Sequence, residues 1–142
     1  MLFRSKLFAA AIEQDGPTDL PSFLTEMPAY TADFKQITLD YIGSDPKSQR
    51  ERSPLDQIDK IERPLLAVQG QNDPRIRASQ LKTLEKAMHA ANKDIQTLYF
   101  ADEGHGVAHE ASFITYLSTA SSFLKEKVMG STYPSAIADY CN

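Results

Sequence analysis

Three short apolar runs, each stopped by turn-forming residues, organise this chain. Leu7-Phe8-Ala9-Ala10-Ala11-Ile12 is apolar throughout and gives way to the turn signal Asp15-Gly16-Pro17. A strand with one wet face would alternate, so this run predicts a strand, Leu7 to Ile12, buried on both faces. Pro64-Leu65-Leu66-Ala67-Val68-Gln69 predicts a second strand of the same kind. Ile95-Gln96-Thr97-Leu98-Tyr99-Phe100 predicts a third, bounded by Asn92-Lys93-Asp94 before it and Gly104 after it. Between the second and third, Ser79 is placed to cap a helix in which Leu81, Leu84, Met88 and Ala91 recur at helical spacing. A last helix is signalled from about Glu110 to Val128, with Phe113, Tyr116, Leu117, Ala120, Leu124 and Val128 on one stripe and Gly130 as its stop. A strand-helix-strand unit of this length closes as a right-handed crossover, so the expected architecture is α/β with parallel strands and flanking helices.

The segment from Asp19 to Arg52 differs, mixing Phe23, Tyr30, Phe34 and Tyr41 with Pro21, Pro28, Gly43 and Pro46, and predicts short helices and loops. Asp45 to Ser53 is almost without apolar residues and is expected on the surface. Periodicity ends at Gly130, which divides the chain into a domain over residues 1–130 and a loosely attached tail over 131–142. No repeat or low-complexity segment is evident.

Composition narrows the classes. At 142 residues and 42% hydrophobic content the chain can bury one core. Its net charge of −4, with Lys and Arg dispersed among acidic neighbours, lacks the basic stripe that a phosphate backbone requires, so nucleic acid is not an expected partner. Leu7 to Ile12 is too short for a membrane span, and no membrane association is expected. Cys141 is the only cysteine, which rules out a disulfide within the chain and reads as an inert tail thiol.

Chemistry enters after the second and third strands. Asp73, in Gln71-Asn72-Asp73-Pro74-Arg75, and His105, in Asp102-Glu103-Gly104-His105-Gly106, each follow a strand directly, where a parallel sheet delivers functional side chains. Asn-Asp-Pro alone is a turn, and flanking glycines alone make a loop histidine tolerable. Two strand ends with one helix between them and one after favour the pairing of acid and base. A metal alternative draws on Asp102, Glu103, His105 and His109, but the i, i+4 histidines share a face only in a helix, which Gly104 and Gly106 oppose. His89 fits a half-exposed helix position. No Gly-x-Ser-x-Gly occurs between Met1 and Asn142, and Ser22, Ser53, Ser79 and Ser131 all lack the strand-turn-helix setting of a nucleophilic serine.

Ser53-Pro54-Leu55, Ile58-Asp59-Lys60-Ile61, Pro64 to Gly70, Asn72-Asp73-Pro74-Arg75-Ile76 and Asp102 to Gly106 together resemble the C-terminal half of the peptidase domain of the prolyl oligopeptidase family. Acylaminoacyl peptidases and dipeptidyl aminopeptidases are its most similar-looking members, and the likeness runs from about Leu7 to Val128. The resemblance implies part of an α/β-hydrolase fold, with Asp73 as triad acid, His105 as base, and part of the substrate pocket in the chain following Ile12. It implies a serine peptidase acting on peptide or acyl-peptide bonds, with no cofactor. It also implies that the nucleophilic serine, oxyanion-hole amides and first strands lie on a missing N-terminal part, so that the chain alone is inactive. An esterase on the same fold shares the triad but not usually the Ser-Pro-Leu and Asn-Asp-Pro-Arg pattern, and a binding or assembly module that has lost its nucleophile is the non-enzymatic alternative. An apolar strand left without a neighbour is expected to pair with the missing part or with a second copy of the chain.

Overall fold

The computed structural model describes residues 7–129; the expected tail over 131–142, with Cys141, lies outside them. Parallel strands β1 (Ala11–Gln14), β2 (Leu65–Gly70) and β3 (Ile95–Phe100) form a sheet in that order. β2 is central and buried along its whole length. Its side chains alternate between two cores. Leu65 and Ala67 pack with Ile61 and with Leu81, Leu84 and Met88 of helix α4 (Ala78–Ala90). Leu66 and Val68 pack on the opposite face with Phe100 and with Ala120 and Phe123 of helix α5 (Glu110–Leu124). Two covered faces explain why β2 is apolar without alternation from Leu65 to Val68.

The second and third strands lie where the pattern puts them, but the first does not. Leu7 and Phe8 are 85% and 44% exposed, and the ladder begins only at Ala11, opposite Leu65. The residue before Leu65 is Pro64, whose ring nitrogen has no proton to donate, so its carbonyl accepts from the Ala11 amide (3.0 Å) and pairing goes no further upstream. β1 is therefore shifted towards the C-terminus, and its residues are half-buried or exposed rather than covered on both faces.

Helix α4 starts after Arg77, which takes the extended N-cap conformation; Ser79 lies inside the first turn and is not the cap. The helix stops where Asn92 turns left-handed (φ 53°). In α5 the buried positions are Ser112, Ala120 and Phe123, whereas Phe113, Leu117, Leu124 and Val128 of the expected stripe are exposed. The helix is apolar over a wider arc than the sheet face beneath it, so periodicity alone selects the wrong edge of that arc. It ends in one π-helical turn, Lys125–Met129.

The long connection from β1 to β2 carries α1 (Leu20–Glu26), α2 (Ala32–Ile42) and α3 (Pro46–Arg52), with 3₁₀ turns at Ala29–Thr31 and Pro54–Lys60. Asp45 caps α3 by accepting from the Ser48 amide (2.8 Å). Within this polar segment, expected on the surface, Gln49 and Ser53 are buried. Gln49 donates to the Gly43 carbonyl (2.7 Å), while Ser53 donates to the Gln49 carbonyl (2.8 Å) and accepts from the Leu20 amide (2.9 Å). These bonds to backbone groups of the same long connection make the burial tolerable. Buried Gln80 of α4 similarly accepts from the Thr18 and Asp19 amides at 3.0 and 2.9 Å, tying the chain after β1 to the helix. Phe23 and Leu24 of α1 close a satellite core with Ile76, just beyond Asp73. No helix among the described residues is long and apolar enough to cross a membrane.

Candidate active site

The C-terminal ends of β2 and β3 run into loops that interlock. Beyond β2 the Gln71 amide donates to the Phe100 carbonyl (2.8 Å) and the Asn72 amide to the Glu103 carbonyl (3.0 Å). Asn72 adds a side-chain bond to the Ala101 carbonyl (2.9 Å). The approach requires glycine at position 70, where a Cβ would lie 2.7 Å from the Glu103 carbonyl oxygen and closer still to that of Gly104. Gly106, at φ +101°, occupies a conformation that disfavours any side chain.

This framework carries Asp73 and His105 into contact, with Asp73 Oδ2 lying 2.8 Å from His105 Nδ1. The Asp73 carboxylate is fully buried, and the imidazole is 36% exposed. Four donors hold the acid. Oδ1 accepts from the amides of Arg75 (2.7 Å) and Ile76 (3.0 Å), and Oδ2 accepts from Gln69 Nε2 (3.2 Å) as well as from the histidine. Such a set lets a buried carboxylate stay charged. An ionised carboxylate can only accept, so the proton between the two groups sits on Nδ1, and Nε2 is the basic nitrogen left for chemistry.

The metal alternative does not assemble. Residues 101–109 are a loop rather than a helix, so the two histidines turn to different acids. His109 Nδ1 meets Glu103 at 2.9 Å and Asp102 at 3.9 Å, whereas His105 meets Asp73. Glu103 is itself a buried support. Burial would raise its carboxyl, but the amides of Ala108 and His109, the Ser112 hydroxyl and the His109 ring outweigh it and hold the group at about 2. His89 is exposed in the last turn of α4, not half-exposed as expected.

Asp15 escaped notice in the sequence, where it reads as part of a turn. It is buried at the end of β1, and one of its carboxylate oxygens lies within 4.8 Å of both an Asp73 oxygen and a His105 ring nitrogen. Its position directly after a strand, like those of Asp73 and His105, is the signal that could have marked it. These three groups have a metal-ligand composition, but both carboxylates already accept hydrogen bonds, and His105 Nδ1 is occupied by Asp73. A cavity of about 460 Å³ is bounded by Met27, Tyr30, Phe34 and Arg75, and an adjoining one of about 610 Å³ reaches from Tyr30 to Asn72 and Asp73.

Asp73 and His105 thus meet at the ends of adjacent parallel strands, and residues 1–131 match the model of the prolyl oligopeptidase family. The chain belongs to this family. It is 33% identical over 140 residues to dipeptidyl aminopeptidase BIII of Pseudoxanthomonas mexicana, covering 94% of this chain and 20% of that protein. Dipeptidyl peptidase family member 6 of Caenorhabditis elegans is 27% identical over the same length, with 94% and 19% covered. A puromycin-hydrolyzing peptidase of Mycobacterium tuberculosis superposes with a TM-score of 0.82 at 26% identity, over 89% of this chain and 19% of its own. An acylaminoacyl peptidase solved with a chloromethyl ketone superposes with a TM-score of 0.80 over 99% of this chain and 23% of its own, a likeness of fold at 18% identity. The fold is that of α/β-hydrolase peptidases, and the chain spans about a fifth of the length of the curated relatives it matches.

Proposed function

We propose that this chain supplies the acid and base of a serine peptidase of the prolyl oligopeptidase type, hydrolysing peptide or acyl-peptide bonds. The observation that carries the reading is the 2.8 Å contact between Asp73 Oδ2 and His105 Nδ1 at the ends of β2 and β3. In this mechanism His105 Nε2 takes the proton of a serine hydroxyl as its oxygen attacks the scissile carbonyl, and returns it to the leaving amine as the acyl-enzyme forms. Asp73 orients the ring and stabilises its cationic form. The serine comes from an N-terminal part of the catalytic domain, since no Gly-x-Ser-x-Gly is present in the 142 residues. That part docks at the outer edge of β1, which has no strand partner among the described residues, and alone the chain is inactive. The cavity that reaches Asp73 receives a substrate side chain, with Tyr30 as a wall shared with the adjoining cavity, which Phe34 also lines.

The test is reconstitution. The purified chain is expected to resist labelling by a fluorophosphonate, which needs an activated serine. Co-expression with the serine-bearing part of such a domain is expected to restore labelling and hydrolysis of a chromogenic acyl-peptide. His105→Ala should abolish nearly all turnover, and Asp73→Asn should lower it by about 10⁴-fold, the scale seen when a triad acid is amidated. An assembled complex whose activity ignores both substitutions overturns the assigned roles. Assembly without turnover would favour a binding module, and serine labelling of the isolated chain that His105→Ala abolishes would place a nucleophile within it.

A further inference from the structure

We infer that Asp15 is a positioning residue for His105, holding the backbone next to the base while Asp73 holds its ring; this rests on the reading of Asp73 and His105 as acid and base. The two amides that Asp15 binds are distant in sequence and close in space. Its Oδ1 accepts from the Gly70 amide (3.2 Å), 55 residues away, and its Oδ2 from the Gly106 amide (2.7 Å), 91 residues away. Neither amide has a sheet carbonyl available on that side. The β1 ladder ends with Gln14 opposite Val68, so Gly70, two residues further along β2, lies beyond it. Gly106, at φ +101°, lies outside any strand. The Asp15 carboxylate replaces a backbone acceptor for both.

The way Asp15 is presented supports a specific placement. Its backbone is left-handed (φ 51°), which costs a non-glycine residue energy but is best tolerated by Asp and Asn, and its own amide remains bonded to the Val68 carbonyl (3.0 Å). β1 thus stays paired up to the residue that turns its carboxylate inward. His105 is then fixed at two points: its ring by Asp73, and the amide of the next residue by Asp15. Because Gly104 and Gly106 allow the turn wide backbone freedom, a second anchor removes motion that the ring contact alone would leave. Asp15 also places a second carboxylate oxygen within 4.8 Å of a His105 ring nitrogen.

A mere sheet-end cap and a positioning residue differ in what happens to the ring. In the chain as it exists, NMR can follow the His105 Nδ1 proton, the exchange rate of the Gly106 amide, and the amides of β2 and β3 as a fold control. Asp15→Ala is expected to speed Gly106 exchange by about 10- to 100-fold, the range for losing a charge-assisted bond. The His105 Nδ1 signal should broaden, with β2 and β3 protection retained. Asp15→Asn, which has a single carbonyl for two amides, should show an intermediate effect on both signals, and it decides the matter if the alanine variant does not fold. An unchanged Gly106 rate, or a freed Gly106 amide with an unaltered Nδ1 signal, overturns the inference. Asp73→Asn separates this from the underlying reading: it should abolish the Nδ1 signal with Gly106 still protected, and survival of that signal would break the acid–base pairing whatever Asp15 does.

Discussion

Replacing Glu13 by Gln is expected to stabilise the chain above neutral pH and leave it unchanged near pH 4. Glu13 lies on β1, two residues before Asp15, and its carboxylate accepts from the Gly16 amide. Burial pushes its carboxyl up from 4.5 to about 7; the Gly16 bond pulls against this, and the Asp15 charge adds to it. The folded chain therefore keeps a proton that the unfolded chain releases at 4.5, and stability falls as pH rises from 4.5 to about 7. At about 1.4 kcal/mol for each pH unit, the whole window is worth about 3 kcal/mol at most, and solvent at the open β1 edge reduces it. Gln resembles the protonated acid in shape and can keep the Gly16 bond without a charge to bury. Urea unfolding at pH 4 and pH 8, with m of roughly 1–3 kcal/mol/M for a small protein, should show coincident midpoints at pH 4. At pH 8 the variant's midpoint should be higher by about 1 M. Equal pH dependence in the two proteins would refute the claim that Glu13 is folded as its acid, and with it the desolvation argument.

Gly70→Ala should destabilise the chain by about 1–3 kcal/mol, as overpacking does, because the new Cβ meets the backbone carbonyls of Glu103 and Gly104 rather than a movable side chain; thermal unfolding would detect it, and a neutral result would mean that the two loops separate easily. Glu103 has its folded value lowered to about 2 from 4.5, so its stabilisation is complete above 4.5 and is lost as pH falls towards 2. An acid titration followed by circular dichroism should be shallower in Glu103→Gln than in the parent chain, whereas identical curves would remove Glu103 from the account. Phe123→Ala should cost about 3–5 kcal/mol, the range for deleting a buried aromatic ring, since Phe123 is 1% exposed between α5 and the sheet. Phe113→Ala, on the exposed face of the same helix, should cost less than about 1 kcal/mol in the isolated chain.

Asp73 and His105 were legible because each follows a strand whose apolar run is itself a local signal. The burial of both faces of β2 was legible from its lack of alternation. The same reasoning failed for β1, where composition extends the apolar run back to Leu7 but Pro64 in the facing chain limits where pairing can begin. It also failed for α5, where Phe113 and Leu117 are as apolar as Phe123 and only the sheet beneath decides which face is buried. Gln49 and Ser53 look like surface residues because their polarity is local information, whereas the carbonyls and amides that satisfy them belong to the folded connection.

The sequence by itself determined a parallel α/β frame and the residue types at its strand ends: a carboxylate after one strand and an imidazole after the next. These depend on residue type and on periodicities spanning a few turns of chain. The tertiary structure alone decided that Asp15 joins them, that Glu103 rather than His105 takes His109, and that Gly70 must be bare for two loops to meet. Those outcomes depend on contacts such as the 91-residue span from Asp15 to Gly106, and no local pattern encodes them, because a hydrogen-bond partner so distant in sequence is chosen only when strand register brings the two ends together.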